Sequence, residues 1–454
     1  MKKPECIIRF PQGKLLELRR ELLKDSSREA FAVLIGKKRE IGEHCIIVVG
    51  DVYYPQPSEY INQSRTQLRM KKSFIYRVMA EAQTRPNVDT IIDVHTHPFT
   101  DRAWFSQQDD VDEINYFQFL DSEELPFSYG SIVLSQKTGQ ARMWYMNNLR
   151  PEYKVAAIKT QTALEALPTT ENESDILDDE QKSRTLLSLG VDTMRRIIAD
   201  QCIVLAGVGG LGSVMAENLV HQGFEHLVLI DNDILDHSSL NRFVGGTFDD
   251  AEKKRPKVEV VASHLQAINP QANVETVFKQ VDSLEAEEKM ALADWILLST
   301  DNHTSRYQVQ KAALTYGVPL ISAGVNITVR HENGRHVIVD RSGEVIVVRL
   351  GDHFCLNCLG RINLALLSAE SHPDPEVRAK TISRGYVLGA EVKEPAVKTL
   401  NSVIGAMAIE SLTNQYKEDM IHEPILVYES HHGLCMYPDR STFSLLETGC
   451  ASCH

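Results

Sequence analysis

A short glycine loop between a strand-like and a helix-like segment constrains the fold of this chain more than any other feature. The loop follows the apolar run 202–206, and its glycines are Gly207, Gly209, Gly210 and Gly212. Glycines there permit a tight turn, and the N-terminus of the following helix favours a phosphate. A second strand-like run ends in Asp231, whose carboxylate suits a ribose hydroxyl. The pattern predicts a doubly wound α/β sheet with a nucleotide site, and it fits any dinucleotide-binding domain, dehydrogenases included.

The length of the chain and one polar stretch predict its domain organisation. The 454 residues suffice for two to four domains of roughly 150 residues each. We expect a first domain over 1–155, an acidic linker over 156–180 and a second domain over 181–454. In the second domain, strand-like runs at 295–299 and 319–323 alternate with helical patterns. Such alternation is typical of a parallel sheet.

The charge balance excludes some classes of partner. Against 62 acidic side chains there are 48 basic ones, which gives a formal net charge of −14. Proteins that bind nucleic acids or anionic membranes need a basic footprint instead. No stretch approaches the ~20 apolar residues that span a bilayer, and the first residues lack the apolar core of a signal peptide. We therefore expect a cytoplasmic protein that binds neither nucleic acid nor membrane.

A strand-like run in the first domain ends in a pair of histidines. His95 and His97 are two positions apart and therefore lie on one face of the strand. Ser106 and Asp109 follow at the start of an acidic, helical segment. Two imidazoles and one carboxylate, with a fourth position left for water, are the ligand count of a catalytic zinc site. A separate carboxylate must then take a proton from the water, and Glu29, just before another strand-like run, is the candidate.

This pattern resembles the JAMM/MPN metalloprotease signature, Glu…HxHP…SxxD, over roughly residues 5–145. Members of that family remove ubiquitin-like proteins or trim their precursors, and the resemblance implies an α+β domain with the same activity. By resemblance, zinc is bound by His95, His97 and Asp109, the general base is Glu29, and the donor to the oxyanion is Ser106. The spacer before Ser106 is one residue longer than in the family pattern, which leaves open whether Asp109 or Asp110 is the ligand.

Charged and polar residues downstream of the glycine loop favour one nucleotide chemistry over the other. They are Asp233, Asn241, Arg242, Lys257 and Asp301. Attack on the α-phosphate of ATP needs cations for the triphosphate and a carboxylate for Mg²⁺. A hydride-transfer enzyme has no use for this set, so the pattern favours ATP chemistry.

The glycine loop and these residues, in this order, resemble the ThiF/MoeB-type superfamily over about residues 180–454. That superfamily includes the catalytic core of ubiquitin-activating enzymes, and it adenylates the C-terminal glycine of a ubiquitin-like or sulfur-carrier protein. By resemblance, the glycines form the phosphate loop, Asp231 contacts the ribose, Arg242 and Lys257 contact the triphosphate, and Asp301 binds Mg²⁺. Arg184 matches an arginine that reaches the ATP of the partner subunit, which implies a symmetric homodimer. Residues 239–243 read SLNRF where the family often reads NLNRQ.

Two CxxC pairs predict a zinc site in the second domain. Cys355 and Cys358 follow the nucleotide-binding core, and Cys450 and Cys453 lie near residue 454. Four thiolates form a closed, structural zinc site, which stabilises a fold without catalysing a reaction. A single pair would also fit a redox function, so the prediction depends on both pairs.

The remaining cysteines bear on how an adenylate would be used. Many activating enzymes pass it to a cysteine in the crossover segment after the first CxxC, but residues 365–398 contain none. Cys6, Cys45 and Cys202 lie in or beside apolar runs and are expected to pack in the core. Cys435, in a predicted C-terminal hairpin, is the least buried. We expect adenylation without an internal thioester, or transfer through a hydroxyl or a separate protein.

We interpret the chain as a bifunctional enzyme of a bacterial ubiquitin-like pathway. The first domain trims or removes the modifier, and the second activates its C-terminal glycine. The enzyme would use ATP, Mg²⁺ and two zinc ions, one catalytic and one structural. Its expected partners are a ubiquitin-like or sulfur-carrier protein, a conjugating-enzyme-like protein and a second copy of itself. The alternatives are sulfur-carrier activation for cofactor or cysteine synthesis, and a non-catalytic assembly scaffold.

Overall fold

In a computed structural model the chain divides into two compact units, residues 1–173 and 174–454. The residues that the structure describes are 5–65, 67–162, 165, 183–190, 194, 201–332, 334–370, 374, 397–417, 422–431, 433–442, 450 and 453. The predicted linker, 156–180, and the predicted crossover segment, 365–398, lie mostly outside these ranges. Within them, no helix has the length and the apolar character needed to cross a membrane.

The first unit is built on a closed β-barrel. In barrel order its strands are β1 (Cys6–Arg9), β3 (His44–Tyr53), β2 (Phe31–Ile41), β6 (Thr90–His97), β7 (Ser128–Ser135), β8 (Gly139–Asn147) and β9 (Arg150–Lys159). Strand β1 pairs in parallel with both β3 and β9, which closes the barrel. Strands β4 (Tyr60–Gln63) and β5 (Leu68–Met70) form a separate hairpin. Strand β9 continues four residues past 155, the predicted end of the first domain.

Helices α1 (Lys14–Leu22), α2 (Lys72–Gln83) and α3 (Gln107–Ser122) pack on the barrel strands. Neighbouring residues of β2 face opposite sides of the sheet, as a period of two requires. Leu34 belongs to the buried cluster that contains Leu15 and Leu18 of α1, whereas Val33 belongs to the cluster that contains Phe74 of α2. Both strands that the sequence predicted in the first domain are confirmed: the run after Glu29 is β2, and the run that ends in the histidine pair is β6.

The second unit contains an eight-stranded sheet. In sheet order its strands are β12 (Asn273–Val277), β11 (His226–Ile230), β10 (Cys202–Ala206), β13 (Trp295–Leu298), β14 (Leu320–Glu332), β15 (Arg335–Val348), β16 (Ile425–Glu429) and β17 (Cys435–Pro438). Its described helices are α4 (Ser183–Leu189), α5 (Gly210–Gln222), α6 (Phe248–Glu252), α7 (Lys257–Ile268), α8 (Leu284–Leu292), α9 (His303–Tyr316), α10 (Leu364–Glu370) and α11 (Lys398–Asn414).

The order of the parallel strands places a ligand crevice at the glycine loop. Strands β11 and β12 lie on one side of β10, and β13 and β14 lie on the other. The strand order therefore reverses at β10. At such a reversal the carboxyl ends of the central strands leave a crevice in which α/β proteins bind ligands. The predicted doubly wound sheet is confirmed for β10 to β14. Strands β15, β16 and β17 continue it in antiparallel fashion, and only the hairpin of the last two was expected.

Candidate functional site

The end of β6 and the start of α3 bring the predicted metal ligands of the first unit together. Strand β6 pairs with β2 on one side and with β7 on the other, which fixes the position of His95 and His97. Ser106 is the N-cap of α3, so Asp109 lies in its first turn. One ligand atom from each of the two histidines and Asp109 lies within 4.8 Å of the others.

The chemistry of this cluster fits a divalent metal ion. His95 Nε2 lies 3.5 Å from Asp109 Oδ1, which is long for a hydrogen bond. Among the described residues, neither His95 Nε2 nor His97 Nδ1 has a hydrogen-bond partner, although both atoms are buried. Because buried polar atoms are nearly always paired, two such nitrogens beside a carboxylate fit a shared cation. Two histidines and a carboxylate are also the protein ligands of many catalytic zinc sites.

Ser106 and Asp109 cap helix α3 reciprocally. Ser106 N donates a hydrogen bond to Asp109 Oδ2 at 2.6 Å, and Asp109 N donates one to Ser106 Oγ at 3.2 Å. This capping box engages one carboxylate oxygen and leaves Oδ1 facing His95. Ser106 therefore has a structural role at the start of α3, and its role toward an oxyanion stays a prediction.

The structure separates Asp109 from Asp110, which the sequence left as alternatives. Asp110 Oδ1 accepts a hydrogen bond from Arg142 Nη1 at 2.6 Å, so this carboxylate pairs with an arginine. The cluster of possible metal-ligand atoms contains Asp109 and does not contain Asp110. The geometry therefore favours Asp109 as the ligand.

Glu29 lies close enough to the cluster to respond to its charges. Its backbone is held in place because Glu29 N donates to Ser64 O at 3.0 Å and Gln63 Nε2 donates to Glu29 O at 2.9 Å. The pKa of Glu29 is raised to about 7. Burial is the main cause, the charge of His95 opposes it, and the charge of Asp109 adds to it. A carboxyl group with a pKa near neutrality can accept and return a proton at physiological pH. The predicted general base needs this property.

Two of the three ligand residues, His97 and Asp109, have the protonation states that metal binding requires. Burial lowers the pKa of His95, but the negative charge of Asp109 outweighs burial and raises it. Burial, assisted by the charge of His95, lowers the pKa of His97 to about 4. Burial opposes the ionisation of Asp109, but interactions with His95 and Ser106 outweigh it and keep the pKa of Asp109 below its usual range. Neutral imidazole and ionised carboxylate are the forms that bind a metal.

The loop after β10 has a geometry that its glycines permit. Gly207 has φ +91°, a left-handed conformation that other residues rarely adopt. Gly212 packs so closely that a Cβ there would lie 2.1 Å from Gly207 O. Gly209 is the N-cap of α5, and among the described residues, apart from Gly209 and its chain neighbours, no heavy atom lies within 4 Å of the position that its Cβ would occupy. The N-terminus of α5 therefore has space beside it for an anion.

Asp231 supports this loop from the neighbouring strand. Its Oδ2 accepts a hydrogen bond from Val208 N at 2.7 Å, and its Oδ1 accepts one from Asp233 N at 2.8 Å. Burial raises the pKa of Asp231, although the hydrogen bond from Val208 and the charge of Lys257 oppose this. The structure thus gives Asp231 a supporting role, and its contact with a ribose stays a prediction.

The predicted cations lie at the same edge of the sheet. Lys257 Nζ lies 2.6 Å from Asp233 Oδ2, and Arg242 Nη1 donates to Asn241 Oδ1 at 3.0 Å. A Cβ at Gly210 would lie 2.7 Å from Arg242 Cγ, so the Arg242 side chain crosses the start of α5. Both cations are therefore near the glycine loop, and both already have polar partners.

Asp301 follows β13, the strand beside β10. Ser299 Oγ donates to Gly207 O at 2.8 Å, so the residues just before Asp301 contact the glycine loop. Asn302 caps α9, and the Asp301 side chain is exposed at the crevice. Arg184 lies in α4, and its side chain is outside the described part of the chain. Its contact with a partner's nucleotide stays a prediction.

The four cysteines of the two CxxC pairs form one cluster. The Sγ–Sγ distances are 3.5 Å for Cys355–Cys358, 3.8 Å for Cys355–Cys450 and 3.6 Å for Cys358–Cys453. A tetrahedral zinc ion with Zn–S bonds of about 2.3 Å separates its sulfur ligands by about 3.8 Å, whereas a disulfide needs about 2.05 Å. The predicted clustering is confirmed, and its geometry fits a structural zinc ion.

Sequence reasoning missed the residues that hold these sites in place. Arg142 pairs with Glu113 of α3, one helical turn after the metal-site carboxylate. Gln310 Oε1 accepts from Leu356 N beside the cysteine cluster, and Glu370 accepts from the first backbone N–H groups of α9. Each contact joins segments that are distant in sequence, so no local spacing marks it. The only sequence signal is a polar or charged residue on a helix or strand face that is expected to be buried.

Each of the two units is matched by the model of a known protein family. The model of the ThiF family matches residues 182–432, and the model of the prokaryotic homologs of the JAB domain matches residues 11–146. The first match covers more than half of the chain. Both matches agree with the resemblances expected from the sequence.

Curated relatives match a smaller part of the chain. The SAMP-activating enzyme E1 of Haloferax volcanii is 30% identical over 30% of this chain and 50% of its own length. The molybdopterin-synthase adenylyltransferase of Haemophilus influenzae is 34% identical over 30% of this chain and 55% of its own. The sulfur carrier protein ThiS adenylyltransferase of Escherichia coli is 30% identical over 31% of this chain and 56% of its own length. The chain thus spans about half the length of the curated relatives that it matches.

Proposed function

The chain belongs to the ThiF family, and on this premise we propose that its second unit adenylates the C-terminal carboxylate of a ubiquitin-like or sulfur-carrier protein. The observation that carries the proposal is the crevice at the carboxyl ends of β10 and β13. It gathers the accessible N-terminus of α5, the exposed Asp301 and the cations Arg242 and Lys257. A triphosphate with a bound cation has the charge that such a set recognises.

In this reaction an oxygen of the modifier's carboxylate attacks the α-phosphorus of ATP, and the bond from that phosphorus to pyrophosphate breaks. Negative charge increases on the α-phosphate and on the leaving pyrophosphate. The backbone N–H groups at the start of α5 and the Arg242 guanidinium can stabilise this charge. Lys257 can do so once it exchanges Asp233 for a phosphate. Asp301 would hold Mg²⁺, which neutralises further phosphate charge.

ATP–pyrophosphate exchange with a small β-grasp protein tests the proposal. We expect the wild-type chain to catalyse exchange that depends on the terminal glycine of the modifier. Arg242→Ala should lose about 100-fold in rate, because a cation on developing phosphate charge is commonly worth that much. The matched control is Arg440→Ala, since Arg440 pairs with Glu423 on the exposed surface of the same unit. Absence of exchange with every such modifier would favour the assembly scaffold instead.

The relatives' names favour two kinds of substrate, and their products differ. Activation of a sulfur carrier ends in a thiocarboxylate, whereas conjugation of a ubiquitin-like modifier ends in an amide. Intact-mass measurement after incubation with ATP and a sulfur donor detects replacement of one oxygen by sulfur. Incubation with a conjugating-enzyme-like protein detects an amide-linked product. We expect one of the two products to form, and that product identifies the pathway.

We also propose that the first unit is a zinc metallopeptidase that cleaves after the terminal glycine of the modifier. His95, His97 and Asp109 would hold the zinc ion, which polarises the scissile carbonyl and lowers the pKa of water. Glu29 would accept a proton from the attacking water and return it to the leaving nitrogen. The near-neutral pKa of Glu29 and the unpartnered imidazole nitrogens support this assignment.

Two variants in the full chain separate the ligand role from the base role. His95→Ala should lose one of two zinc ions per chain and all cleavage of a modifier with a C-terminal peptide extension. Glu29→Gln should keep both zinc ions and lose cleavage. Retention of both zinc ions in His95→Ala would contradict the metal site, and loss of zinc in Glu29→Gln would contradict the role of Glu29 as base.

The two proposed activities are chemically consecutive. Cleavage after the terminal glycine produces the free carboxylate that adenylation needs. We therefore expect an extended precursor to support pyrophosphate exchange with the wild-type chain but not with Glu29→Gln. The processed modifier should support exchange with both. Exchange of the precursor with Glu29→Gln would show that the second unit does not depend on the first.

A further inference from the structure

A buried ion network lies behind the metal cluster of the first unit. Arg142 of β8 and Glu113 of α3 have side chains that are 3% and 5% exposed. Arg142 Nε donates to Glu113 Oε2 at 2.8 Å, and Arg142 Nη1 donates to Asp110 Oδ1 at 2.6 Å. One arginine therefore links a barrel strand to the first two turns of α3.

Glu113 accepts three hydrogen bonds on one oxygen. Its Oε2 accepts from Arg142 Nε, from Trp144 Nε1 at 2.7 Å and from Ser131 Oγ. The donors belong to β7 and β8, so α3 is tied to two neighbouring strands at a single position. Since a buried ion is costly without its partner, this pairing leaves little freedom for the helix to rotate or slide.

Aromatic rings fix the guanidinium of Arg142 from other directions. Its Cζ lies 3.8 Å from the ring centroid of Phe105, 4.8 Å from that of Tyr153 and 5.2 Å from that of Trp144. Phe105 immediately precedes Ser106, the N-cap of α3. Arg142 thus contacts the chain on both sides of the N-terminus of α3. It contacts the ring of Phe105 before the helix and the carboxylates of Asp110 and Glu113 within the helix.

The metal-site carboxylate lies between these contacts. Asp109 precedes Glu113 by four residues, so the two side chains lie on the same helix face. Asp109 Oδ1 faces His95 at 3.5 Å, and a small rotation of the first turn would move it away. We propose that Arg142 is a positioning residue, which sets the location of Asp109 by holding α3 on both sides of its first turn. The inference rests on the proposed zinc site of the first unit.

The test is zinc affinity of the first unit, measured in the full chain by competition with a chromophoric chelator. Arg142→Met should weaken binding on the order of 10- to 100-fold, as loss of a group that orients a metal ligand commonly does. The zinc ion of the cysteine cluster should stay bound. Arg85→Met is the matched control, because Arg85 bridges Glu81 and Asp51 in the same unit and lies 38% exposed. Its zinc affinity should equal that of the wild type.

A spectroscopic readout distinguishes positioning from support of the fold. Cobalt(II) can replace zinc, and its visible absorption depends on the number and type of ligands. We expect a changed spectrum in Arg142→Met at full cobalt occupancy and an intermediate spectrum in Arg142→Lys, since lysine lacks the fork that reaches both carboxylates. A folded Arg142→Met chain with wild-type affinity and spectrum would overturn the proposal.

Asp110→Ala keeps the proposal testable if Arg142→Met does not fold. Asp110 is 48% exposed and makes one of the contacts of Arg142, so its loss should cost little stability. We expect several-fold weaker zinc binding, and unchanged binding would overturn the positioning role. If the wild-type first unit binds no zinc, the proposed peptidase fails as well. The wild-type measurement therefore separates the two failures.

Discussion

Asp231 accepts a hydrogen bond from the backbone N–H of Val208 at 2.7 Å, so the end of β11 supports the glycine loop that follows β10. Asp231→Ala would leave that N–H without its carboxylate partner. We expect the KM for ATP in pyrophosphate exchange to rise about 10-fold, as loss of a hydrogen bond to a charged group commonly costs ~1.5–3 kcal/mol. Hydrogen exchange at residues 207–212 of the nucleotide-free chain should also become faster. Unchanged hydrogen exchange would mean that Asp231 acts on the ribose alone.

The two glycines at 209 and 212 should respond differently to the same substitution. A Cβ at Gly212 would lie 2.1 Å from Gly207 O, whereas a Cβ at Gly209 would have no described heavy atom within 4 Å beyond those of its chain neighbours. We expect Gly212→Ala to destabilise the second unit by ~1–3 kcal/mol, as overpacking does. Gly209→Ala, where φ is −79°, should stay within about 0.5 kcal/mol of the wild type. Chemical denaturation measures both, and equal stabilities would contradict the close packing of the loop.

The raised pKa of Glu29 has a consequence for stability. In the folded state burial raises the pKa of Glu29 to about 7, from its ordinary value of 4.5. The folded state therefore holds the proton more tightly, so wild-type stability falls as pH rises through this window. Glu29→Gln should stabilise the metal-free first unit by ~1 kcal/mol at pH 8, allowing for solvent screening of a half-buried group. At pH 4 the variant and the wild type should unfold alike. A stability difference that does not depend on pH would contradict the assignment.

The cysteine cluster should be essential to the second unit and irrelevant to the first. Cys355→Ser and Cys453→Ser should each lose one zinc ion per chain. Structural zinc contributes apparent binding energies on the order of 10 kcal/mol in small domains, so the second unit should unfold at a much lower temperature. Calorimetry with metal analysis checks this. A folded, zinc-free variant would favour a redox pair.

Complementation between inactive variants tests the predicted homodimer. Arg184→Ala and Asp301→Ala should each lose pyrophosphate exchange, by about 100-fold or more. If Arg184 acts on the partner's ATP, a mixed dimer has one site with both defects and one with neither. Up to half of the wild-type activity per mixed dimer should then return. No recovery, with subunit exchange confirmed, would place Arg184 in its own subunit's site.

The sequence was sufficient to predict those elements and site residues that depend on residues close together in the chain. The glycine loop, Asp231 and the apolar runs around them predicted β10, α5 and β11, because each depends on residues within a few positions of one another. The histidine pair likewise predicted the end of β6. In each case a hydrophobic period defines the element and a polar residue marks its end.

The rest depended on contacts between distant residues. Closure of the barrel pairs Cys6 with Ala156, and nothing in either strand indicates the other. The choice between Asp109 and Asp110 follows from Arg142, which occupies the second carboxylate from a different strand. Residues of one helical turn have nearly the same sequence context, so only the fold distinguishes them.

The positions of the cysteines also determine when the second unit can be completed during synthesis, relative to the first. The barrel closes through β9, whose last residue is Lys159. Cys355 and Cys450 are 95 residues apart, so the ribosome makes the first ligand pair long before the second. We infer that a nascent chain can fold its first unit well before all four cysteines of the cluster are available to bind zinc. A stalled or truncated product that lacks the second pair would therefore carry a finished barrel and only two of the four thiolates of the zinc site.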